Sequence, residues 1–130
     1  MKYGGMTESE EQQLLMQWAN ANTKKYPELW GLMAVPNGGH RSKRTAGRMK
    51  AEGVKAGYPD LALDVARGGF WGLRVELKRE RRSLSRISDR QTAWHTFLLE
   101  QGYAVHICHG WRAAAAVIET YLQMPKTRAA

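Results

Sequence analysis

Three side chains able to do chemistry lie in one region of the sequence: Asp60 after a proline, and Glu76 and Lys78 two positions apart. Carboxylates are the ligands that hard divalent cations prefer, and an ammonium beside them can stabilise charge that develops on a phosphate. If the fold brings the three together, they can bind a metal and hydrolyse a phosphodiester bond. An exposed strand of alternating charges would show the same Glu-x-Lys spacing, and spacing alone leaves both interpretations open.

A pair of glycines predicts how these side chains meet. Gly68-Gly69 is typical of a tight turn between two antiparallel strands, here over Leu61–Val65 and Trp71–Lys78. Asp60 precedes the first strand and Glu76 lies near the end of the second, so we expect them to be near neighbours across the hairpin. Carboxylates held so close raise each other's pKa unless a cation lies between them, which favours a metal site.

Hydrophobic spacing and cap signals predict the elements that surround this hairpin. They are helices over Thr7–Lys24, Thr45–Glu52, Ser88–Gln101 and Trp111–Leu122, and strands over Leu32–Val35 and Tyr103–Cys108. We expect Trp94, Phe97 and Leu98 to face the core from the third of these helices. The order of elements predicts an α/β fold, in which a small mixed sheet is flanked by helices.

The length of 130 residues predicts a single domain, in which residues 1–6 and 124–130 are expected to be frayed tails. No apolar run approaches the ~20 residues that cross a bilayer, and the N-terminal residues lack the apolar centre of a signal peptide. We therefore expect no membrane partner and a cytoplasmic location. A single cysteine, Cys108, excludes an internal disulfide.

The charge of the chain is strongly basic. A net charge of +8, from 20 Lys and Arg against 12 Asp and Glu, favours a polyanionic partner. The basic residues concentrate in 40–55 and 78–90, and no long apolar stripe accompanies them, so nucleic acid is a better candidate than lipid. Those expected to contact the phosphates are Arg41, Lys43, Arg44, Arg48, Arg79, Arg81 and Arg82. Any one of them could instead be an ordinary solvated charge.

The histidines carry weaker signals. His106, Cys108 and His109 suggest zinc, but no fourth ligand is evident and successive strand positions point to opposite faces. His95 has no partner that the sequence identifies.

Several motifs together resemble a known nuclease family. Pro59-Asp60 followed by Glu76-Leu77-Lys78 resembles the core of the PD-(D/E)xK superfamily, which has a restriction-endonuclease-like fold. More narrowly, the chain is similar to the stand-alone phage and bacterial members of the VRR-NUC family. The motifs that carry this likeness are PNGG (36–39), AGRMKAEGVKAG (46–57), GYPDLAL (57–63), VELK (75–78) and the Ser88, Gln91, Trp94 pattern.

The resemblance implies a metal-dependent, structure-selective DNA endonuclease that uses Mg²⁺ or Mn²⁺. Some stand-alone relatives are homodimers that resolve four-way (Holliday) junctions, so we expect a homodimer that acts on branched DNA. A flap nuclease, a sequence-specific restriction-type nuclease and a non-catalytic basic DNA-binding module remain as alternatives. The last of these would require only the charge and not the acidic pair.

The resemblance also implies roles for individual residues. Asp60 and Glu76 would be metal ligands, Lys78 the catalytic lysine, and the backbone carbonyl of Leu77 a possible further ligand. The superfamily often supplies a glutamate from the first helix, and Glu11 lies on its apolar face.

Gln91 has two interpretations. The resemblance implies that it supports the metal site or its water. However, Ser88 and Gln91 also have the spacing of a capping box, as do Thr7 and Glu10, and this explanation needs no catalysis.

Overall fold

The structure is a computed structural model that describes residues 5–36, 42–81 and 86–128. In chain order it contains α1 (Glu8–Ala21), a 3₁₀ helix (Pro27–Gly31), β1 (Leu32–Ala34), α2 (Lys43–Ala51), β2 (Leu61–Leu63), β3 (Leu73–Lys78), α3 (Asp89–Glu100), β4 (Ala104–His109) and α4 (Trp111–Leu122). The predicted helices and strands are present with slightly shifted bounds, whereas the 3₁₀ helix was not predicted. None of the helices formed by the described residues combines the length and the apolar character needed to cross a bilayer.

Four strands form a mixed sheet in the order β1-β2-β3-β4. β1 and β3 are both antiparallel to β2, and β4 pairs with β3 in parallel after the crossover through α3. The α/β fold with a small mixed sheet flanked by helices is therefore confirmed. Every residue of the central strand β3 is buried, including Arg74, Glu76 and Lys78 at 7%, 1% and 6% exposure. The alternative of a solvated charged strand is therefore wrong.

The β2–β3 hairpin contains a one-residue shift that decides what lies opposite Asp60. Arg67 bridges Phe70 across the Gly68-Gly69 turn, and an unbroken ladder from there would pair Asp60 with Leu77. The observed ladder instead pairs Leu61 with Val75. Three residues, 64–66, therefore face only two, 71–72, as in a β-bulge. Continued by one position, the observed register places Asp60 opposite Glu76.

The apolar face of the sheet packs against α1 and α4 to form the core. To this core the sheet contributes Leu61, Leu63, Leu73, Val75 and Leu77. These side chains alternate with the polar ones along β3, as strand geometry requires. The face that carries Glu76 is thus separated from the main apolar core and is covered by α3.

Helix α3 is rotated relative to the sequence-based expectation. His95 and Leu98 are its buried residues, whereas Phe97 is 52% exposed and Trp94 is partly exposed. The expectation that Phe97 faces the core is therefore wrong. Phe97 faces outward because Gln91 and His95 are both hydrogen-bonded to Glu76. These contacts turn the face of α3 that carries residues 91, 95 and 98 toward the sheet.

The C-terminal segment differs from the frayed tail expected there. The backbone N–H of Gly68 donates to the carbonyl of Pro125 at 2.7 Å, and the Thr127 hydroxyl donates to the carbonyl of Phe70 at 2.6 Å. Residues 125–127 are therefore held against the hairpin turn by hydrogen bonds that no sequence pattern marks.

Gly57 lets the segment before Asp60 approach α3 closely. It has φ +94, and a Cβ at this position would lie 2.8 Å from the carbonyl carbon of Arg90. Next to it, the indole N–H of Trp94 donates to the carbonyl of Ala56 at 3.1 Å. The ring of Tyr58 packs edge-on against Trp94 at 4.9 Å between centroids. These contacts fix residues 56–58 on α3.

Gly57→Ala is expected to destabilise the protein through this close approach. A positive φ costs a residue with a Cβ about 1–2 kcal/mol, and the steric clash with Arg90 adds to it. Gly53→Ala is a matched control, because Gly53 has φ +100 but no atom near the position of a Cβ. Urea unfolding should show a larger loss of unfolding free energy for Gly57→Ala. Equal losses for the two variants would contradict the packing described.

Candidate active site

The carboxylates of Asp60 and Glu76 meet at the boundary between β2 and β3. Asp60 immediately precedes β2, and its Oδ2 accepts a 2.7 Å hydrogen bond from the backbone N–H of Leu77. Glu76 is buried and forms a side-chain hydrogen bond with Asp60. The register shift in the hairpin thus brings the two carboxyl groups together.

Burial of Glu76 beside Asp60 raises the pKa of Glu76. Desolvation raises the pKa of Glu76 to about 9, and the hydrogen bond and the charge of Asp60 act in the same direction. The Lys78 ammonium opposes this rise in pKa, and Glu8 adds to it. In the absence of a bound cation, Glu76 therefore carries a proton at neutral pH.

Gln91 connects Lys78 to this pair. Its Oε1 accepts a hydrogen bond from the Lys78 ammonium at 3.3 Å, and its Nε2 donates to Glu76 Oε2 at 3.2 Å. The same Oε1 accepts from the backbone N–H of Ser88 at 2.9 Å, which completes the capping box of α3. Gln91 therefore caps the helix and contacts the acidic site at once, because the cap itself fixes the side chain beside β3.

His95 is a site residue that sequence reasoning missed. Its Nε2 lies 3.1 Å from Glu76 Oε1, so Gln91 and His95 each contact one oxygen of the same carboxyl group. Burial lowers the pKa of His95, as does the nearby Lys78 charge, while Asp60 raises it. The available signal was the spacing, since residues four apart lie on one face of a helix.

Glu11 points into the interior of the fold, as expected from its place on the apolar face of α1. It is fully buried, and its two oxygens accept backbone hydrogen bonds from Trp111 at 3.1 Å and from Glu80 at 3.3 Å. Trp111 is the first residue of α4, where the helix dipole favours an anion. Glu11 thus joins α1, the end of β3 and α4, and its ligation of a metal stays a prediction. Of the acidic residues in the first turn of α1, Glu8 is the one whose charge acts on Glu76.

Comparison with known proteins places this site in a family. Residues 6–112 match the VRR-NUC domain. The chain belongs to the VRR-NUC family. A solved structure described as a VRR_NUC domain protein is 29% identical, with a TM-score of 0.81, and the match covers 98% of this chain and 100% of that one. Among curated proteins, none matches the sequence.

Membership of the VRR-NUC family bears on function as well as on fold. The family is nuclease-related, so the chain carries a nuclease-type domain for DNA processing, and DNA is the substrate class that the family implies. Asp60, Glu76 and Lys78 all lie within the matched residues.

The donor set at the VRR-NUC site fits a hard divalent cation. Asp60 and Glu76 supply carboxylate oxygens, and a cation held between them would oppose the rise in the pKa of Glu76 that desolvation and the neighbouring Asp60 cause. Because the N–H of Leu77 points at Asp60, strand geometry turns the Leu77 carbonyl toward the same edge. Within the described ranges, no three His, Cys, Asp or Glu side chains group as a metal site.

The residues expected to contact DNA fall into different environments. Lys43, Arg44 and Arg48 are exposed on α2, and Arg81 is exposed after β3. Arg79 is partly buried, and its Nε donates to the carbonyl of Met6 at 3.0 Å. Arg41 and Arg82 lie outside the described residues, as do residues 37–39 of the PNGG motif.

Glu76→Gln is expected to remove a pH dependence of stability in the metal-free protein. The folded pKa of Glu76, about 9, exceeds the value of about 4.3 for an unfolded chain, so the folded state binds more protons between these values. The unfolding free energy of the wild type should therefore fall as pH rises from 5 to 9, by at most about 1.4 kcal/mol per pH unit. Glutamine keeps the shape and cannot ionise, so this loss should disappear.

Urea unfolding with EDTA across this pH range measures the effect. Glu100→Gln is the control, because Glu100 is an exposed carboxylate at the end of α3 and its removal should leave the slope unchanged. Parallel pH profiles for the wild type and Glu76→Gln would contradict the raised pKa.

Proposed function

We propose that the protein is a divalent-metal-dependent endonuclease that hydrolyses phosphodiester bonds at branched DNA, with four-way (Holliday) junctions as its substrate. The observation that supports this most strongly is the array of Asp60, Glu76 and Lys78: Glu76 and Lys78 are buried on β3, and the partly buried Asp60 lies beside them immediately before β2. A carboxyl group and an ammonium buried beside a second, partly buried carboxylate destabilise a fold unless they are matched by other charges. Their retention at one edge of the sheet favours a catalytic role.

Mg²⁺ or Mn²⁺ is the cofactor proposed for this site. The oxygens of Asp60 and Glu76 would hold it, together with the backbone carbonyl of Leu77. A divalent cation supplies Lewis-acid stabilisation of charge on the phosphate and lowers the pKa of a bound water. The protein side chains provide the remaining functions.

Lys78 would act on the phosphate being cut. Its ammonium is held by Gln91 Oε1 and lies within electrostatic range of Glu76. From there it can donate a hydrogen bond to a phosphate oxygen or orient the attacking water, in both cases stabilising negative charge that increases in the transition state. Gln91 and His95 fix the Glu76 carboxyl from two sides, which orients its oxygens before DNA binds.

The positive charges of α2 would hold the DNA backbone. Lys43, Arg44 and Arg48 are exposed on one short helix that precedes the Asp60 segment in the chain. Contacts to phosphates fix the position of a protein on DNA without reading its sequence. This supports recognition of DNA shape and charge rather than of a base sequence.

A homodimer would match the near two-fold symmetry of a four-way junction and offer an active site to each of two strands. The exposed apolar residues Trp30 and Met33, at 89% and 52% exposure beside the edge strand β1, support an interface there. Sedimentation equilibrium of the wild type and Trp30→Arg tests this, since the variant should be monomeric. If the wild type and Trp30→Arg have equal mass, the dimer interface lies elsewhere or the protein does not dimerise.

A restriction-type nuclease and a flap nuclease share the same metal chemistry. Cleavage at one sequence in linear duplex would favour the first, and cleavage of flaps in preference to junctions the second. A cleavage assay on labelled four-way junctions, flaps, splayed arms, linear duplex and single strands, with Mg²⁺, Mn²⁺ or EDTA, separates all three.

Lys78→Ala is expected to reduce cleavage of branched DNA by at least about 10²-fold, the scale seen when one donor to a transition-state oxyanion is removed. Binding of the same DNA in EDTA should change little, because one ammonium adds only one phosphate contact. Lys24→Ala is the control, since Lys24 is exposed in the turn after α1. Loss of binding in proportion to loss of cleavage would instead make Lys78 a simple phosphate contact.

A further inference from the structure

A groove of about 910 Å³ lies between α2 and α3, beside the acidic site. Its walls include Met49 and Val54 from one side, and Ala93, Trp94 and Phe97 from the other. No residue of α2 is buried, so this helix stands away from the core and leaves the groove open to solvent. The volume falls within the range of about 300–1,000 Å³ that is typical of small-ligand sites, which is large enough for nucleotides.

Two adjacent faces of α3 serve the acidic site and the groove. Gln91 and His95 point at Glu76, whereas Arg90, Trp94 and Phe97 line the groove. The groove and the acidic pair are therefore separated by no more than the width of one helix, about 10–12 Å with its side chains. A DNA strand cut at the acidic pair would reach the groove within a few nucleotides.

The positive charge of the groove indicates which kind of ligand it can bind. Lys50, Lys55 and Arg90 line it, and no acidic residue does. None of the three cations forms an ion pair with another residue in the part of the chain that the structure describes. Cations around an apolar, partly aromatic floor match a ligand that carries both phosphates and flat apolar rings.

A ligand with flat rings would explain why the Phe97 side chain is exposed. It is 52% exposed although its helix has a buried face, and Trp94 packs edge-on against it at 5.7 Å between centroids. An exposed, supported aromatic ring beside cations is the arrangement on which single-stranded nucleic acids stack their bases.

We propose that the α2–α3 groove binds unpaired nucleotides of the branched DNA substrate, with a base stacked on Phe97 and the flanking phosphates beside Lys50, Lys55 and Arg90. This rests on the nuclease function proposed above and assigns it a substrate feature, namely nucleotides near the cut that are single-stranded in flaps and splayed arms and that would have to unpair at the centre of a four-way junction. A duplex has its bases paired inside and presents only phosphates to such a groove. The groove would therefore distinguish branch points with unpaired bases from continuous duplex.

A second copy of the chain fits the groove less well. In a two-fold contact the same patch meets itself, so the three cations of one copy would face those of the other without acidic partners. The charge of the lining therefore favours DNA over a symmetric protein interface.

The test compares binding to a blunt duplex with binding to the same duplex carrying a single-stranded tail, by fluorescence anisotropy with EDTA so that no cleavage occurs. Phe97→Ala should weaken binding to the tailed duplex by about 5-fold to 100-fold, the effect of losing one base–aromatic stack. Binding to the blunt duplex should change less than two-fold, and Phe97→Trp should restore the preference for the tail.

Leu99→Ala is the matched control. Leu99 lies on the same helix and is 54% exposed, but it does not line the groove. It should behave as the wild type with both DNAs. In parallel, a tail carrying 5-iododeoxyuridine should crosslink on irradiation to the peptide that contains Phe97.

Equal effects of Phe97→Ala on both DNAs, no effect on either, or a crosslink elsewhere would overturn the proposal. A change in mass on sedimentation of Phe97→Ala, with an unchanged preference for tailed DNA, would also overturn it and make the groove a protein interface. These outcomes are independent of the nuclease assignment. If binding follows the prediction while no DNA is cut with either metal, the groove stands and the proposed activity fails.

Discussion

Burial of the Glu76 carboxyl group against Asp60 is the constraint that the surrounding structure must satisfy with hydrogen-bonding groups. A central strand that is covered on both faces normally carries apolar side chains, because a buried charge loses its hydration. Here β3 carries Arg74, Glu76 and Lys78 among its apolar residues, and desolvation raises the pKa of Glu76. Such a site is stable only where neighbouring groups form hydrogen bonds with each buried oxygen and nitrogen. In the described residues, no buried side-chain polar atom lacks a hydrogen-bond partner.

The partners of this carboxyl group come from elements that are distant in sequence. A one-residue shift in the hairpin brings Asp60 opposite Glu76, and the capping box of α3 holds Gln91 where it contacts both Glu76 and Lys78. Local features that are ordinary in themselves, a bulge and a helix cap, thus position the groups that would do the chemistry. The same helix turns Phe97 outward, so the orientation of α3 sets both the acidic site and the groove beside it.

Much of this arrangement could be predicted from the sequence because it depends on local patterns. The hairpin follows from Gly68-Gly69, which have φ of 60° and 90°. The cap of α1 follows from Thr7 and Glu10, whose reciprocal hydrogen bonds are present. Strand alternation correctly placed Glu76 and Lys78 on one face. The motif order also identified the family before any fold was known.

What the sequence did not reveal depends on contacts between distant segments. The rotation of α3 is set by hydrogen bonds to β3, so hydrophobic spacing alone placed Phe97 inside and gave His95 no partner. Glu11 lies on the apolar face of α1, as expected. Its partners, however, are the backbone N–H groups of Glu80 and Trp111, which only the packing of three elements brings together. The ordering of the C-terminal segment on the hairpin likewise has no local signal.

The most direct test of the central claim is Mn²⁺ binding measured by electron paramagnetic resonance, in which the sharp spectrum of free Mn²⁺ disappears as the ion binds. If the buried carboxyl pair is a cation site, the wild type should bind one ion per chain at high affinity, Asp60→Ala should lose this ion, and Glu100→Ala should keep it. Equal binding by the wild type and Asp60→Ala, or no binding by either in the presence of branched DNA, would contradict the claim that Asp60 and Glu76 form a metal site.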